Sequence, residues 1–145
     1  MRKRLLKKFE LRDMVFPGTG PLFDRCAKDE ETVKFLLRKL IAACQTAVWD
    51  LMMSYAASDE MKDQYEIGVH LSITREAGET VGRISGHVEI QAPVNDPQAF
   101  ILRTPVLACT ICDRAHGAVC AAMWATAAHL GLLSSGNETA ETTGG

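Results

Sequence analysis

Two segments of alternating residues constrain this chain more than any other feature of its sequence. Every second residue is apolar across residues 65–74, and the same alternation returns across residues 84–92. Such a period of two is typical of a strand that buries one face and exposes the other. The short connection between the segments contains Gly78 and predicts a turn. We therefore expect an antiparallel hairpin with one buried face.

The apolar pattern also predicts which residues pair within this hairpin. If Glu76 is opposite Glu79, then Leu71 is opposite Ile84 and Ile67 is opposite Val88, so apolar residues meet apolar residues. A slip of one residue would turn one strand's apolar residues to the polar face.

Two histidines fall on the polar face of the predicted hairpin. In the predicted register His70 faces Ser85, and His87 is its diagonal neighbour. The sequence favours a solvated cross-strand pair over a metal site or a pH switch, because exposed polar pairs are common on sheets.

A long amphipathic helix is predicted before the hairpin, from Asp29 to Tyr55. Asp29 is a suitable N-cap, and two acidic residues follow it in the first turn. The apolar positions follow the 3.6-residue period of a helix. They are Val33, Leu36, Leu37, Leu40, Ile41, Cys44, Val48, Leu51, Met52 and Tyr55. We interpret Cys44 as a small buried apolar residue of this stripe.

After the hairpin, residues 99–108 predict a third strand, in which Pro105 marks a sheet edge or a bulge. A second helix is expected over residues 113–133. The predicted fold is therefore α+β, with the order α-β-β-β-α, a three-stranded antiparallel sheet and two helices packed on one face. Such a sheet has open edges and one uncovered face, so we expect a homodimer.

The chain begins with a basic segment. Residues 1–12 contain six basic residues and one acidic residue, a net charge of +5, although the whole chain has a net charge of −2. We expect a basic N-terminal arm and loop over residues 1–20, one α+β domain over residues 21–133 and a disordered tail over residues 134–145. The arm is either a solubilising terminus or a contact site for nucleic acid or anionic lipid. The residues that would make this contact are Arg2, Lys3, Arg4, Lys7 and Lys8.

The composition excludes several classes of protein. A chain of 145 residues that is 47% hydrophobic and 23% charged can form a core, which excludes disorder over most of its length. No apolar run approaches the roughly 18 to 20 residues that span a bilayer, so no transmembrane segment is expected. Five cysteines are an odd number without the spacing of a disulfide framework, and no export signal is recognisable, so we expect a cytoplasmic protein.

One short segment gathers groups that can do more than pack. Cys109, Cys112, His116 and Cys120 lie within twelve residues, and thiolates with imidazoles are ligands of zinc and other thiophilic metals. A helix rises about 1.5 Å per residue, so all four cannot bind one ion while the helix stays regular. The sequence favours structural cysteines that pack on an apolar helix face, since cysteine is small and readily buried. If the segment binds a metal, we expect at most a half-site of Cys109, Cys112 and His116 at the helix start, and a dithiol redox pair is a further alternative.

These observations lead to three hypotheses about function. The first is a non-enzymatic α+β binding or regulatory domain, acting as a dimer through an apolar ligand pocket or a protein interface. The second is a metal-binding protein that uses Cys109, Cys112 and His116. The third is a nucleic-acid-binding protein that uses the basic segment. The sequence contains no nucleophile elbow, zinc-protease motif or dinucleotide fingerprint, so no catalytic residue is predicted.

Overall fold

Three antiparallel strands form the sheet, in the order β1-β3-β2. The computed structural model describes residues 4–16, 18–74 and 82–133. The strands are β1 (Arg4–Val15), β2 (Glu66–Thr74) and β3 (Arg83–Pro93). The helices are α1 (Gly20–Lys28), α2 (Glu30–Met53), α3 (Asp59–Lys62) and α4 (Pro105–His129), with a 3-10 helix at Ala99–Arg103 before α4. The predicted α+β class and antiparallel sheet are confirmed.

The helices pack on one face of the sheet. α2 contacts β2 and α4, α4 contacts β1, and α1 contacts α2. The residues that the sheet contributes to the core alternate along β2 and β3, as the sequence predicted, and along β1 as far as the register shift after Leu11. They are Phe9, Leu11, Met14, Ile67, Val69, Ile84, Val88, Ile90 and Ala92. The opposite face consists largely of polar side chains without a helix over it.

The start of α2 confirms the predicted N-cap. The Asp29 carboxylate accepts hydrogen bonds from the Glu31 backbone N–H at 3.1 Å and from the Thr32 hydroxyl at 2.8 Å. The Thr32 hydroxyl lowers the pKa of Asp29, because it stabilises the charged carboxylate. Cys44 is fully buried in this helix, as predicted.

The basic segment is not an arm over residues 4–15. These residues form β1, an edge strand whose register with β3 begins at Arg4–Pro93 and is interrupted once, between Leu11 and Met14. Phe9 and Leu11 are buried under the helices, which stabilises the strand through apolar burial. Residues 4–15 therefore belong to the same sheet as the strands beyond the predicted domain boundary at residue 20. Arg2, Lys3 and the tail 134–145 lie outside the described residues.

The predicted third strand over residues 99–108 is wrong. Residues 99–103 form the 3-10 helix, and α4 begins at Pro105 instead of residue 113. The reason is local: the Thr104 hydroxyl accepts from the Leu107 backbone N–H at 3.4 Å, and Pro105 occupies the first helical position, where its missing N–H costs nothing. The third strand of the sheet is β1.

The hairpin register differs by two residues from the predicted one. Ile67 is opposite Ile90, and His70 is directly opposite His87. A shift of two keeps every side chain on its predicted face, because the faces alternate with a period of two. The predicted pair Glu76–Glu79 lies outside the described residues.

By length and composition alone, α4 is long and apolar enough to cross a membrane, unlike the expectation from the sequence. The core helix of a soluble protein can have the same length and composition, so this finding is weak evidence for a membrane span. Ile111, Ala115, Val119 and Met123 of α4 are fully buried in this fold.

Candidate metal centre on the outer sheet face

The uncovered face of the sheet gathers histidines and carboxylates around the middle of β3. His87 of this central strand is directly opposite His70 of β2 and directly opposite Glu10 of β1. Glu89 follows His87 by two residues on the same strand, so both side chains lie on this face. Lys8 is opposite Glu89.

The two imidazoles and one carboxylate are close enough to share an ion. The His70 and His87 rings stack with their centroids 4.7 Å apart and 26° between their planes. His87 Nε2 lies 3.2 Å from Glu89 Oε1. One ligand atom from each of His70, His87 and Glu89 lies within 4.8 Å of the others. We call these three residues the His-His-Glu cluster.

The local backbone explains how these side chains come so close. Gly86 precedes His87, and a Cβ atom at Gly86 would overlap the backbone carbonyl of His70. Only glycine fits there without moving the strands apart. A Cβ at Gly68 would lie 3.8 Å from His70 Nε2, in ordinary contact with the ring.

The cluster is partly open to solvent. The side chain of His87 is 22% exposed and that of Glu89 is 38% exposed, and His70 is exposed as well. An ion held here would have protein ligands on one side and water on the other. Two imidazole nitrogens and a carboxylate oxygen are the donor set that zinc, nickel, copper and non-haem iron share.

The cysteine cluster predicted from the sequence is not gathered in this way. Because α4 begins at Pro105, Cys109 and Cys112 both lie inside the helix, not at its start. Cys109 and His116 are seven residues apart, roughly 10 Å along the helix axis. Among the described residues, the His-His-Glu cluster is the group of three or more metal-ligating side chains within mutual reach. The structure does not bring Cys109, Cys112 and His116 together as a preformed site, and metal binding by them stays a prediction.

Two of those residues instead line a groove between α4 and the edge of β1. The Cys112 thiol donates a weak hydrogen bond to the Glu10 carbonyl at an S–O distance of 3.6 Å, and the His116 ring stacks on Phe16 with centroids 5.8 Å apart. Burial, followed by the nearby Cys109 and Asp113, raises the pKa of the Cys112 thiol. A raised pKa disfavours the thiolate at Cys112, so Cys112 is the less suitable attacking thiol of a dithiol pair.

The two cavities that involve α4 are small. The groove beside Cys112 has a volume of about 220 Å³, and a cavity between α2 and α4, lined by Phe35, Lys39 and His129 among others, has about 260 Å³. Pockets for small organic ligands usually enclose about 300 to 1,000 Å³. These cavities therefore give little support to the predicted apolar ligand pocket.

Of the basic residues predicted to contact anions, Arg4, Lys7 and Lys8 lie on β1, and Arg2 and Lys3 lie outside the described residues. The Arg4 guanidinium donates to the Gln64 carbonyl at 2.8 Å and lies 3.9 Å from the Glu66 carboxylate. Lys7 and Lys8 are exposed.

The sequence placed His70 and His87 as neighbours on the outer face, but it favoured a solvated pair over a metal site and did not connect Glu89 with them. The sequence did contain a signal for Glu89, because it follows His87 by two residues in a predicted strand and therefore lies next to it on the same face. Comparison of the chain with protein-family models, with curated proteins and with solved structures finds no match.

Proposed function

We propose that this chain is a small binding domain that holds a divalent transition-metal ion on its outer sheet face, through His70, His87 and Glu89. The direct cross-strand pairing of the two histidines, with the Glu89 carboxylate 3.2 Å from His87 Nε2, is the observation that supports the proposal. Metal binding was also a hypothesis from the sequence, but there it used Cys109, Cys112 and His116.

Small side-chain movements would complete the site. Ligand atoms at about 2.0 to 2.2 Å from a tetrahedral ion lie roughly 3.4 Å from one another. The three ligand atoms are within 4.8 Å before any ion is present, so rotations of exposed side chains cover the difference. The paired strands hold the Cα positions of the histidines, so little backbone ordering is needed on binding.

Nitrogen and oxygen donors favour a different set of metals from the thiolates considered in the sequence. Affinity at such a site rises from manganese to copper, with zinc below copper. Three protein ligands leave at least one coordination position for water or another molecule. The proposal assigns binding to the domain and no reaction.

Calorimetric titration with Zn²⁺, together with visible absorption of bound Co²⁺, tests the proposal. We expect one ion per chain, and we expect H70Q and H87Q each to lower the affinity at least about tenfold, or 1.4 kcal/mol. The matched controls are H116Q and H129Q, which remove the two histidines of α4 and leave the sheet unchanged.

Two outcomes would contradict the proposal. The first is the absence of Zn²⁺ and Co²⁺ binding to the folded wild-type chain. The second is unchanged binding in H70Q and H87Q together with loss of binding in a variant that combines C109S, C112S and H116Q. The second outcome would place the ion at the cysteine cluster.

A further inference from the structure

The two edges of the sheet differ in charge. The strand order β1-β3-β2 leaves β1 at one edge and β2 at the other. β1 carries four basic and two acidic residues among its twelve, and charged side chains on an edge strand oppose pairing with another chain. Residues 67–73 of β2, Ile-Gly-Val-His-Leu-Ser-Ile, contain no acid, lysine, arginine or proline. An edge strand of this composition favours the addition of a further strand.

Hydrogen bonds show which backbone groups of β2 are directed away from the sheet. The side-chain amide of Gln45, on α2, donates to the Ile67 carbonyl at 3.0 Å, whereas the His70 carbonyl is directed at β3. Backbone groups of alternate residues in a strand point to the same side, so three further residues share the direction of Ile67. They are Val69, Leu71 and Ile73. Within the described part of the chain, no hydrogen bond occupies the edge side of these three residues.

Apolar surface is also exposed along this edge. Leu71 and Ile73 lie on the helix side of β2, and both are only partly buried. Trp49 of α2 is 36% exposed and lines, together with Gln45, a groove of about 270 Å³. Because Gln45 reaches the Ile67 carbonyl, this groove lies beside the β2 edge. Covering these side chains with a second protein surface would remove apolar area from water, which is favourable.

β2 is complementary to itself in one antiparallel register. When His70 is opposite His70 of a second copy, all nine residues of the strand are paired. On the helix side, Ile67 is then opposite Ile73 and Val69 is opposite Leu71, so apolar residues meet apolar residues. The edge-directed backbone groups of the two copies also face each other, because odd-numbered residues pair with odd-numbered residues.

Opposite charges come near each other at both ends of this register. Glu66 of one copy is opposite Thr74 of the other, and Thr74 is opposite Arg83 within its own hairpin. Two strand spacings, about 10 Å, separate the acidic residue from the arginine of the other copy, and their long side chains span much of that distance. The interface is isologous, so the same attraction occurs twice.

We propose that the β2 edge pairs with the β2 edge of a second copy of this chain. The two sheets then form one antiparallel sheet of six strands, and the two-fold axis passes between the two His70 residues. The two α2 helices lie on the same side of this sheet, so each Trp49 lies near the seam. Strand pairing removes the edge that a single chain leaves open. The pairing needs no bound ion and does not depend on the proposed metal site.

Sedimentation equilibrium of the full chain in the presence of EDTA tests the pairing. We expect the wild type to reach twice the mass of one chain, which is 15.9 kDa. L71K and I73K should each weaken association at least about tenfold, because each places a charge at the seam. L71P should weaken it as well, since it removes an edge-directed N–H and leaves the ladder with β3 intact.

Matched controls change the other edge of the sheet. K8P removes an edge-directed N–H of β1, because the Glu10 carbonyl two residues further on is directed at Cys112 and not at β3. L6K replaces an exposed apolar side chain of β1 with a charged one. Both controls should associate like the wild type.

Hydrogen exchange tests the pairing without a substitution. The amides of Val69, Leu71 and Ile73 should exchange more slowly at high than at low protein concentration, because the second copy occupies them. Circular dichroism of every variant establishes that it is folded. Three outcomes would overturn the pairing: a folded wild type that stays monomeric up to about 1 mM, β2 variants that associate as K8P and L6K do, or a dimer that forms only after Zn²⁺ is added, which would mean that an ion joins the chains.

Discussion

The five cysteines have different environments, and their reactivity should follow those environments. Cys109 is exposed, whereas burial raises the pKa of Cys44 to about 11 and raises the pKa of Cys112 as well. Because the thiolate is the reacting form, iodoacetamide at pH 8 should modify Cys109 first, Cys112 slowly and Cys44 only after unfolding. Peptide mass spectrometry against time measures the order.

The opposite order would have a clear meaning. If Cys112 reacted faster than Cys109, its thiolate would be stabilised in the fold, and the dithiol redox alternative would regain support. C112S gives the matched control, because the rate at Cys109 should change little once its neighbour is removed.

Tyr65 and Asp96 form a buried pair whose contribution to stability depends on pH. The Tyr65 hydroxyl donates to the Asp96 carboxylate at 2.8 Å, and burial, followed by this hydrogen bond, raises the pKa of Tyr65. A raised pKa in the folded state means that the stabilisation is complete below the unfolded tyrosine pKa of about 10 and is lost as the pH rises towards the folded value.

Replacing Tyr65 with phenylalanine should therefore have two effects. Y65F should lower the free energy of unfolding at pH 7 by about 1 to 3 kcal/mol, because Asp96 loses a hydrogen-bond donor. It should also reduce the loss of stability between about pH 9 and 11. Urea unfolding across this range measures both effects, with Y55F as the control. An alkaline loss of stability in Y65F equal to that of the wild type would contradict the assignment.

Two glycines in different elements should respond oppositely to the same substitution. G86A places a Cβ against the His70 carbonyl, so we expect it to separate β3 from β2 and to destabilise the fold by more than about 2 kcal/mol. G117A places a Cβ in open space on α4, where alanine is the better helix former, so we expect a gain of up to about 1 kcal/mol. Denaturant unfolding of both variants measures the difference, and a neutral G86A would refute the close approach of the strands.

Local patterns predicted those parts of the fold that local residues determine. The faces of β2 and β3 followed from the alternation, and the Asp29 cap followed from its position before the apolar stripe. The register did not follow, because a shift of two residues leaves each face unchanged. The start of α4 was predictable in principle, since Thr104 and Pro105 form a cap and a first helical position.

The strand β1 could not be predicted from its own residues. Leu5, Leu6 and Phe9 also fit a short helix, and the inward position between Leu5 and Phe9 is occupied by the charged Lys7. Its partner β3 follows it by about seventy residues along the chain, so a non-local contact decides its conformation. The pairing of Glu10 with His87, and with it the full outer face, depends on the same contact.

The whole molecule has a sheet with helices on one face and polar side chains on the other, so the proposed ion would lie outside the hydrophobic core. An ion bound by His70 and His87 would join β2 to β3 without contacting a helix. It would bind the folded chain and not the unfolded one, because unfolding separates the paired strands. The predicted homodimer, through the uncovered face or the strand edges, stays a prediction that native mass spectrometry of the same samples addresses.

Metal binding should therefore raise the free energy of unfolding of the entire fold. At a free concentration one hundred times the dissociation constant, Zn²⁺ should raise the free energy of unfolding by about 2.7 kcal/mol, and the midpoint of denaturation should rise with it. A variant that combines H70Q and H87Q should show no such rise, because it lacks both nitrogen ligands. H116Q should behave like the wild type, since its ring stacks on Phe16 at a different edge of the sheet. An equal rise in all three proteins would mean that the ion stabilises the fold from another place, and the His-His-Glu cluster would then not be the metal centre.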